Sequence, residues 1–290
     1  MQPPIEIEST RAALGAAERV WGWEIPTYLF FGGLVAGLML AVAASLLLLG
    51  PERITRAMRW GLVAAPLLLS VGMLALFVDL TAKLHVFRFY TTFRPSAPMS
   101  LGSWVLLFVY PVQLLLILAL PPEALQKRLV RVRFVAAVQR FATAHLRALA
   151  LVALVLAVAL GVYTGVLLST TVARPLWSSG ALGVLFLASG ASTGVAALML
   201  GERDRAMSDR FARADIALIL LEVLVMVLWL AGLASQGPAY RDAAASMLVG
   251  PYAPVFLGMV VFGGLVVPAV LEALSLRGRA LHSRAVPALV

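Results

Sequence analysis

From Ile25 to Gly50 the chain carries no charged residue. About 20 apolar residues at ~1.5 Å each cross ~30 Å of hydrocarbon. This stretch is therefore long enough to span a bilayer. It is entered through Trp21-Gly22-Trp23-Glu24-Ile25-Pro26-Thr27-Tyr28. Two Trp and a Tyr suit the headgroup level, where an aromatic ring meets both oil and water. A carboxylate does not suit it, so Glu24 marks this mouth as a place where a polar group is kept for use.

Six further apolar runs follow, at about 61–78, 101–120, 148–171, 181–200, 216–234 and 247–271. In lipid each must be a helix, because no other segment can satisfy its own backbone polar groups. Pro66 and Pro111 fall inside spans, where a proline removes a helical hydrogen bond and predicts a kink. The expected fold is an all-α polytopic membrane helix bundle. A polar segment over residues 1–20 leads into a bundle over 21–274, and a basic tail over 275–290 ends the chain. The last residues, Ala285–Val290, read as the first turns of an eighth, truncated helix, too short to cross.

Charge sets the expected orientation. With the N-terminus outside, sixteen of the 23 Lys and Arg residues fall in inner loops, as the positive-inside rule requires. The net charge of +9 is then a matter of topology and of contact with membrane lipids, not of nucleic acid. The 127–147 segment reads as a basic surface helix on anionic lipid. The outer face comprises 21–28, 79–100, 174–180 and 235–246. In the second of these, His85, Phe87, Phe89, Tyr90 and Phe93 crowd together. So many aromatics beside a membrane predict a docked loop rather than a free one. Trp21, Trp23, Phe87, Phe93 and Trp177 are the candidate docking residues for a partner protein.

Several chemistries can be set aside. With no Cys the chain has no thiolate for an iron–sulfur cluster. None of the three His lies mid-span, which disfavours a bis-His haem. No span contains Lys, so a retinal Schiff base is not expected, and no His/carboxylate cluster predicts a metal site. What remains is a sparse set of ionisable groups at the outer ends of spans: Glu24, Asp79, Lys83, His85 and Arg174. If the second helix continues past Asp79, Lys83 shares its face at i+4. A carboxylate, a tyrosine and a cation around an apolar pocket suit a quinone. Its carbonyls need donors and protons, and its tail needs lipid access. Glu222 lies two turns inside the sixth span, where a carboxylate is costly. With Glu272 it is the candidate for a proton path, and a structural hydrogen bond serves Glu222 equally well. Gly33/Gly37, Gly161/Gly165 and Gly190/Gly194 are spaced for close helix packing.

Four ordered stretches resemble the NrfD-type membrane subunits, the family of the polysulfide-reductase membrane anchor. They are Trp21–Tyr28 into Gly32-Gly33-Leu34-Val35-Ala36-Gly37; Asp79-Leu80 through His85 to Pro98-Met99-Ser100-Leu101-Gly102-Ser103-Trp104; Tyr163-Thr164-Gly165 through Ala173-Arg174-Pro175-Leu176-Trp177; and Ser189-Gly190-Ala191-Ser192-Thr193-Gly194. The resemblance covers most of residues 21–272. It implies a subunit of the bacterial cytoplasmic (inner) membrane that holds no haem or cluster itself. Such a subunit exchanges electrons between a quinone, menaquinone or ubiquinone, and a ferredoxin-like iron–sulfur subunit with several clusters docked outside. That subunit in turn serves a molybdenum or tungsten catalytic subunit. The resemblance implies a quinone and proton-transfer site near the outer face at Glu24, Tyr28 and Tyr163, with Asp79, His85 and Arg174 as neighbours. It also implies an eighth helix. The competing classes are a small-molecule or ion transporter, which predicts an internal repeat and midplane broken helices, and a passive membrane anchor.

Overall fold

The structure is a computed structural model, and it describes residues 22–80, 83–94, 97–129, 133–169 and 175–277. Among these there is no strand. Seven helices are long and apolar enough to cross a membrane. They are α1 (Glu24–Leu49), α2 (Arg56–Asp79), α4 (Pro98–Ala119), α7 (Leu146–Ser169), α8 (Ala181–Gly201), α9 (Arg205–Ala234) and a last span from Pro254 to Leu276. That last span is π-helical over Pro254–Val266 and continues as α11 (Val267–Leu276). The shorter helices are α3 (Arg88–Thr91), α5 (Glu123–Leu129), α6 (Arg133–Ala144) and α10 (Pro238–Leu248). The expected N-terminal segment, residues 278–290 of the basic tail with its eighth helix, Trp21 and Arg174 lie outside the described residues.

α1 is the axis of the bundle. It packs on α2, α7 and α8 along nearly its whole length, and α4 closes the group against α7 and α2. α9 lies on α8, and α11 lies on α9. The α1–α8 crossing is made by glycine. A Cβ on Gly37 would fall on the Gly190 carbonyl, and one on Gly194 would fall on the backbone at Gly37 and Leu38. A Cβ on Gly190 would sit 2.7 Å from the Gly33 carbonyl oxygen. The two glycine pairs legible in the sequence are thus each other's partners, and backbone meets backbone there. Gly161 and Gly165 play the same part at the α7–α8 contact, against Leu187 and the Leu182–Gly183 backbone.

Three boundaries differ from the expected ones. α9 begins at Arg205 rather than near residue 216. Asp204 caps it, its carboxylate accepting from the Ala206 N–H at 3.0 Å, so a charged first turn is no obstacle. Met247 and Leu248 end the separate helix α10, and the last span starts only at Pro254. That span also runs past Leu271, which carries Glu272 into its interior. The expected basic surface helix is two short helices, α5 and α6. Pro66 and Pro111 sit inside continuous α2 and α4.

Candidate functional site

At the Glu24 end of α1 the first four spans do not close. They enclose a cavity of about 610 Å³, within the range of small-molecule sites. Each helix contributes for a local reason. The inward stripe of α1 carries Ile25 and Tyr28, the last turns of α2 carry Met73, Phe77 and Asp79, and α4 carries Leu106 and Tyr110. α7 brings in Tyr163 and Leu167. The segment after Asp79 forms the roof, through Leu80, Val86, Phe89 and Tyr90.

The roof is folded onto the bundle. Ser103 donates to the Phe89 carbonyl at 2.7 Å, and Ser100 donates to the Thr92 carbonyl at 3.2 Å while accepting from the Arg94 N–H at 2.9 Å. Phe93 meets Trp104 edge-on, with ring centroids 5.4 Å apart. The aromatic loop is docked, and the surface beneath it belongs to the chain itself.

Four phenols reach the cavity. Tyr28 is almost completely buried. Tyr163 lies over Gly102, where a Cβ would fall on its ring. Tyr110 shares a 3.0 Å hydrogen bond with Ser70, which donates to the Pro66 carbonyl at 2.7 Å. Tyr90, in the roof, is held above its usual value of 10.0 by burial first and by Tyr110 second. It therefore stays an O–H donor through the physiological range. The unfolded chain gives up this proton from about pH 10, while the folded chain keeps it longer. Stability is then complete below pH 10 and falls as pH rises beyond it. A Tyr90→Phe variant is expected to lose less of its melting temperature between pH 9 and about pH 11 than the parent, as a thermal melt series will show.

The expected site residues fall into groups. Tyr28, Tyr163 and Asp79 line one cavity. Glu24 begins α1 one turn before Tyr28, half-buried, its carboxylate folded back against Gly22. His85 is exposed beside Phe87, ring centroids 6.5 Å apart, and does not line the cavity. α2 stops at Asp79, so the helical register that would pair it with Lys83 does not exist. Trp23, Phe87 and Phe93 are exposed at this same end. Trp177 is half-buried against the core cluster of Leu168, Leu182 and Trp229. Tyr90, Tyr110, Ser70 and Ser103 are the polar lining that sequence reasoning missed. Tyr110 and Ser70 lie inside apolar runs, where nothing in the sequence marks the face they occupy.

The chemistry of the lining fits a quinone. The wall is chiefly aliphatic and aromatic, and its few polar atoms are hydroxyl donors with one carboxylate at the rim. Among the described residues no group of His, Cys, Asp and Glu is placed to hold a metal ion.

Comparison with known proteins agrees with the fold. The family model described as "Polysulphide reductase, NrfD" matches residues 14–289. The C subunit of the polysulfide reductase of Wolinella succinogenes is 31% identical over 263 residues, covering 87% of this protein and 83% of that subunit. Protein NrfD of Escherichia coli is 33% identical over 270 residues, covering 87% and 84%. An NrfD homologue of Haemophilus influenzae is 27% identical over 266 residues, covering 87% and 82%.

Proposed function

The chain belongs to the NrfD polysulphide reductase family, and from that premise we propose that it is the quinone-reactive membrane subunit of a multi-subunit respiratory oxidoreductase. The observation that carries this reading is the apolar cavity into which Tyr28, Tyr90, Tyr110 and Tyr163 converge, with Asp79 at its rim. A quinone bound there supplies the exchange of two electrons and two protons between the lipid phase and a protein partner. Leu74, Phe77, Leu106 and Leu167 exclude water and hold the apolar ring and tail. Tyr28 and Tyr163 donate hydrogen bonds to the ring oxygens. Asp79, exposed to solvent, trades the protons with water, and Glu24 is a second carboxylate at the same mouth. In this reading His85, exposed at this end, and Arg174 serve as neighbours of the site.

The partner that takes or gives the electrons is an iron–sulfur subunit docked on the Glu24 face, against Trp21, Trp23, Phe87, Phe93 and the edge of Trp177. Behind it stands a molybdenum or tungsten catalytic subunit. The distribution of Lys and Arg supports an outward-facing Glu24 end in a bacterial cytoplasmic membrane, with the quinone site near the periplasmic face.

Gentle purification of the tagged subunit from its native membranes tests the assembly. The expected result is co-purification of an iron–sulfur protein together with molybdenum or tungsten. A metal-free chain, alone or as a homo-oligomer, would contradict it and favour a transporter.

A further inference from the structure

The last three spans carry a second polar feature, away from the tyrosine cavity. On α9, Asp215, Glu222 and Trp229 follow one another at intervals of seven. All three lie in the buried stripe of the helix. They place polar atoms along ~21 Å of helix axis, most of the way across a hydrocarbon layer. Asp215 and Glu272 are fully buried. Asp215 lies beside Glu272 of α11 and beside Ser192 of α8, and Glu222 lies beside Ser189 of α8. None of the four carboxyl oxygens of Asp215 and Glu272 makes a hydrogen bond of good geometry, and neither does the Trp229 Nε1.

Charge makes this arrangement informative. α9 packs on α8, α10 and α11. No Lys, Arg or His occurs in Ala181–Gly201, between residues 216 and 234, or between residues 254 and 276, and the nearest cations along these helices, Arg205, Arg210 and Arg213 in the first turns of α9 and Arg277 after α11, are exposed. The ionisable groups of α10, namely Tyr240, Arg241 and Asp242, stand beyond the end of α9 at Ala234, where Arg241 donates from Nε to the Ala234 carbonyl at 2.9 Å. Three buried carboxyls without a counter-ion cannot all carry charge in an apolar bundle. Each must be neutralised from outside. The three do not converge on a point that could hold a metal ion. They are strung out in a line, which suits protons passed from group to group, with ordered water meeting the unpartnered oxygens.

We propose that Asp215, Glu272 and Glu222, with Ser192 and Ser189, form a proton-carrying line through the second half of the bundle, with the Trp229 N–H as a fixed donor to water at its end. A proton enters at the Asp215–Glu272 pair from the Leu276 end. It moves to Glu222 as the pair takes another from water, and leaves along the Trp229 side. Its occupancy by protons stands alone. Its movement in step with turnover rests on the quinone reading above.

Dicyclohexylcarbodiimide, which reacts with protonated carboxyls in apolar surroundings, tests occupancy on the intact complex without any substitution. Label is expected on Glu222 or Glu272 and not on exposed Glu52. No label on the line, or protection by sodium ions, overturns the proposal. The second test uses the complex in vesicles, driven by a short-chain quinol with ferricyanide as acceptor. Protons moved per electron pair should fall at least twofold in Glu222→Gln, Asp215→Asn or Glu272→Gln, with the uncoupled electron-transfer rate kept within twofold. An unchanged proton count in all three variants overturns coupling. Absence of quinol-driven electron transfer in the parent complex would instead overturn the quinone reading, leaving the labelling result to decide the line.

Discussion

A Tyr163→Phe variant of the intact complex is expected to lose quinol-linked turnover by on the order of 10²-fold, the usual contribution of a positioned proton donor, while assembling at the parent level. The phenol lies on the cavity wall, and its ring occupies space that Gly102 leaves open. Phenylalanine keeps the ring and its packing, so only the O–H is removed. Tyr110→Phe is the matched comparison. Its hydroxyl is already engaged by Ser70 at 3.0 Å, and a smaller loss, on the order of tenfold or less, is expected. A steady-state assay with a soluble quinol, normalised to subunit content, reads both. Turnover within twofold of the parent in Tyr163→Phe would remove this tyrosine from the site.

The second large effect is on folding. Gly190→Leu is expected to deplete the assembled subunit from membranes almost completely. Its Cβ would meet the Gly33 backbone, with the carbonyl oxygen at 2.7 Å and the Cα at 3.0 Å. Side-chain overpacking costs about 1–3 kcal/mol when neighbours can shift. Here the obstacle is backbone in the central helix, so the cost exceeds that range. Gly232→Leu makes the contrast, because a Cβ there meets nothing within 4 Å. It is expected to change stability by no more than about 0.5 kcal/mol. Quantitative immunoblotting of membranes and a thermal aggregation curve separate the two. Equal levels of both variants would mean that the α1–α8 crossing is looser than the structure has it.

These effects show where the sequence was readable. The seven spans were, since each is a long apolar run, uncharged but for Glu222 in the sixth, and lipid permits only one backbone solution. The glycine pairs were visible as small residues at helical spacing, but spacing does not say which pair meets which. Only the packed bundle joins Gly33/Gly37 to Gly190/Gly194. Asp79 stood out at a span end beside other polar groups and Tyr28 in the aromatic mouth of the first span, whereas Tyr163 was singled out only through the family resemblance of Tyr163-Thr164-Gly165. Tyr110 and Ser70 could not, since a tyrosine or serine inside an apolar run looks the same whether it faces core, lipid or ligand. Asp215 was hidden by a boundary. With the sixth span read from residue 216, this carboxylate counted as part of a charged loop. A capped helix that starts at Arg205 puts it fully inside the bundle. Glu272 was recognised as a candidate, but its burial came from a span that runs five residues farther than hydropathy placed it.

The central claim is that a quinone occupies the cavity between α1, α2, α4 and α7. The most direct test is photolabelling of the intact complex with an azidoquinone, followed by peptide mapping. Label is expected on the peptides that carry Tyr28, Met73 to Leu80, and Tyr163 to Leu167, and excess unlabelled quinol should displace it. Label confined to α9 and the last span, or label that quinol does not displace, would contradict the claim.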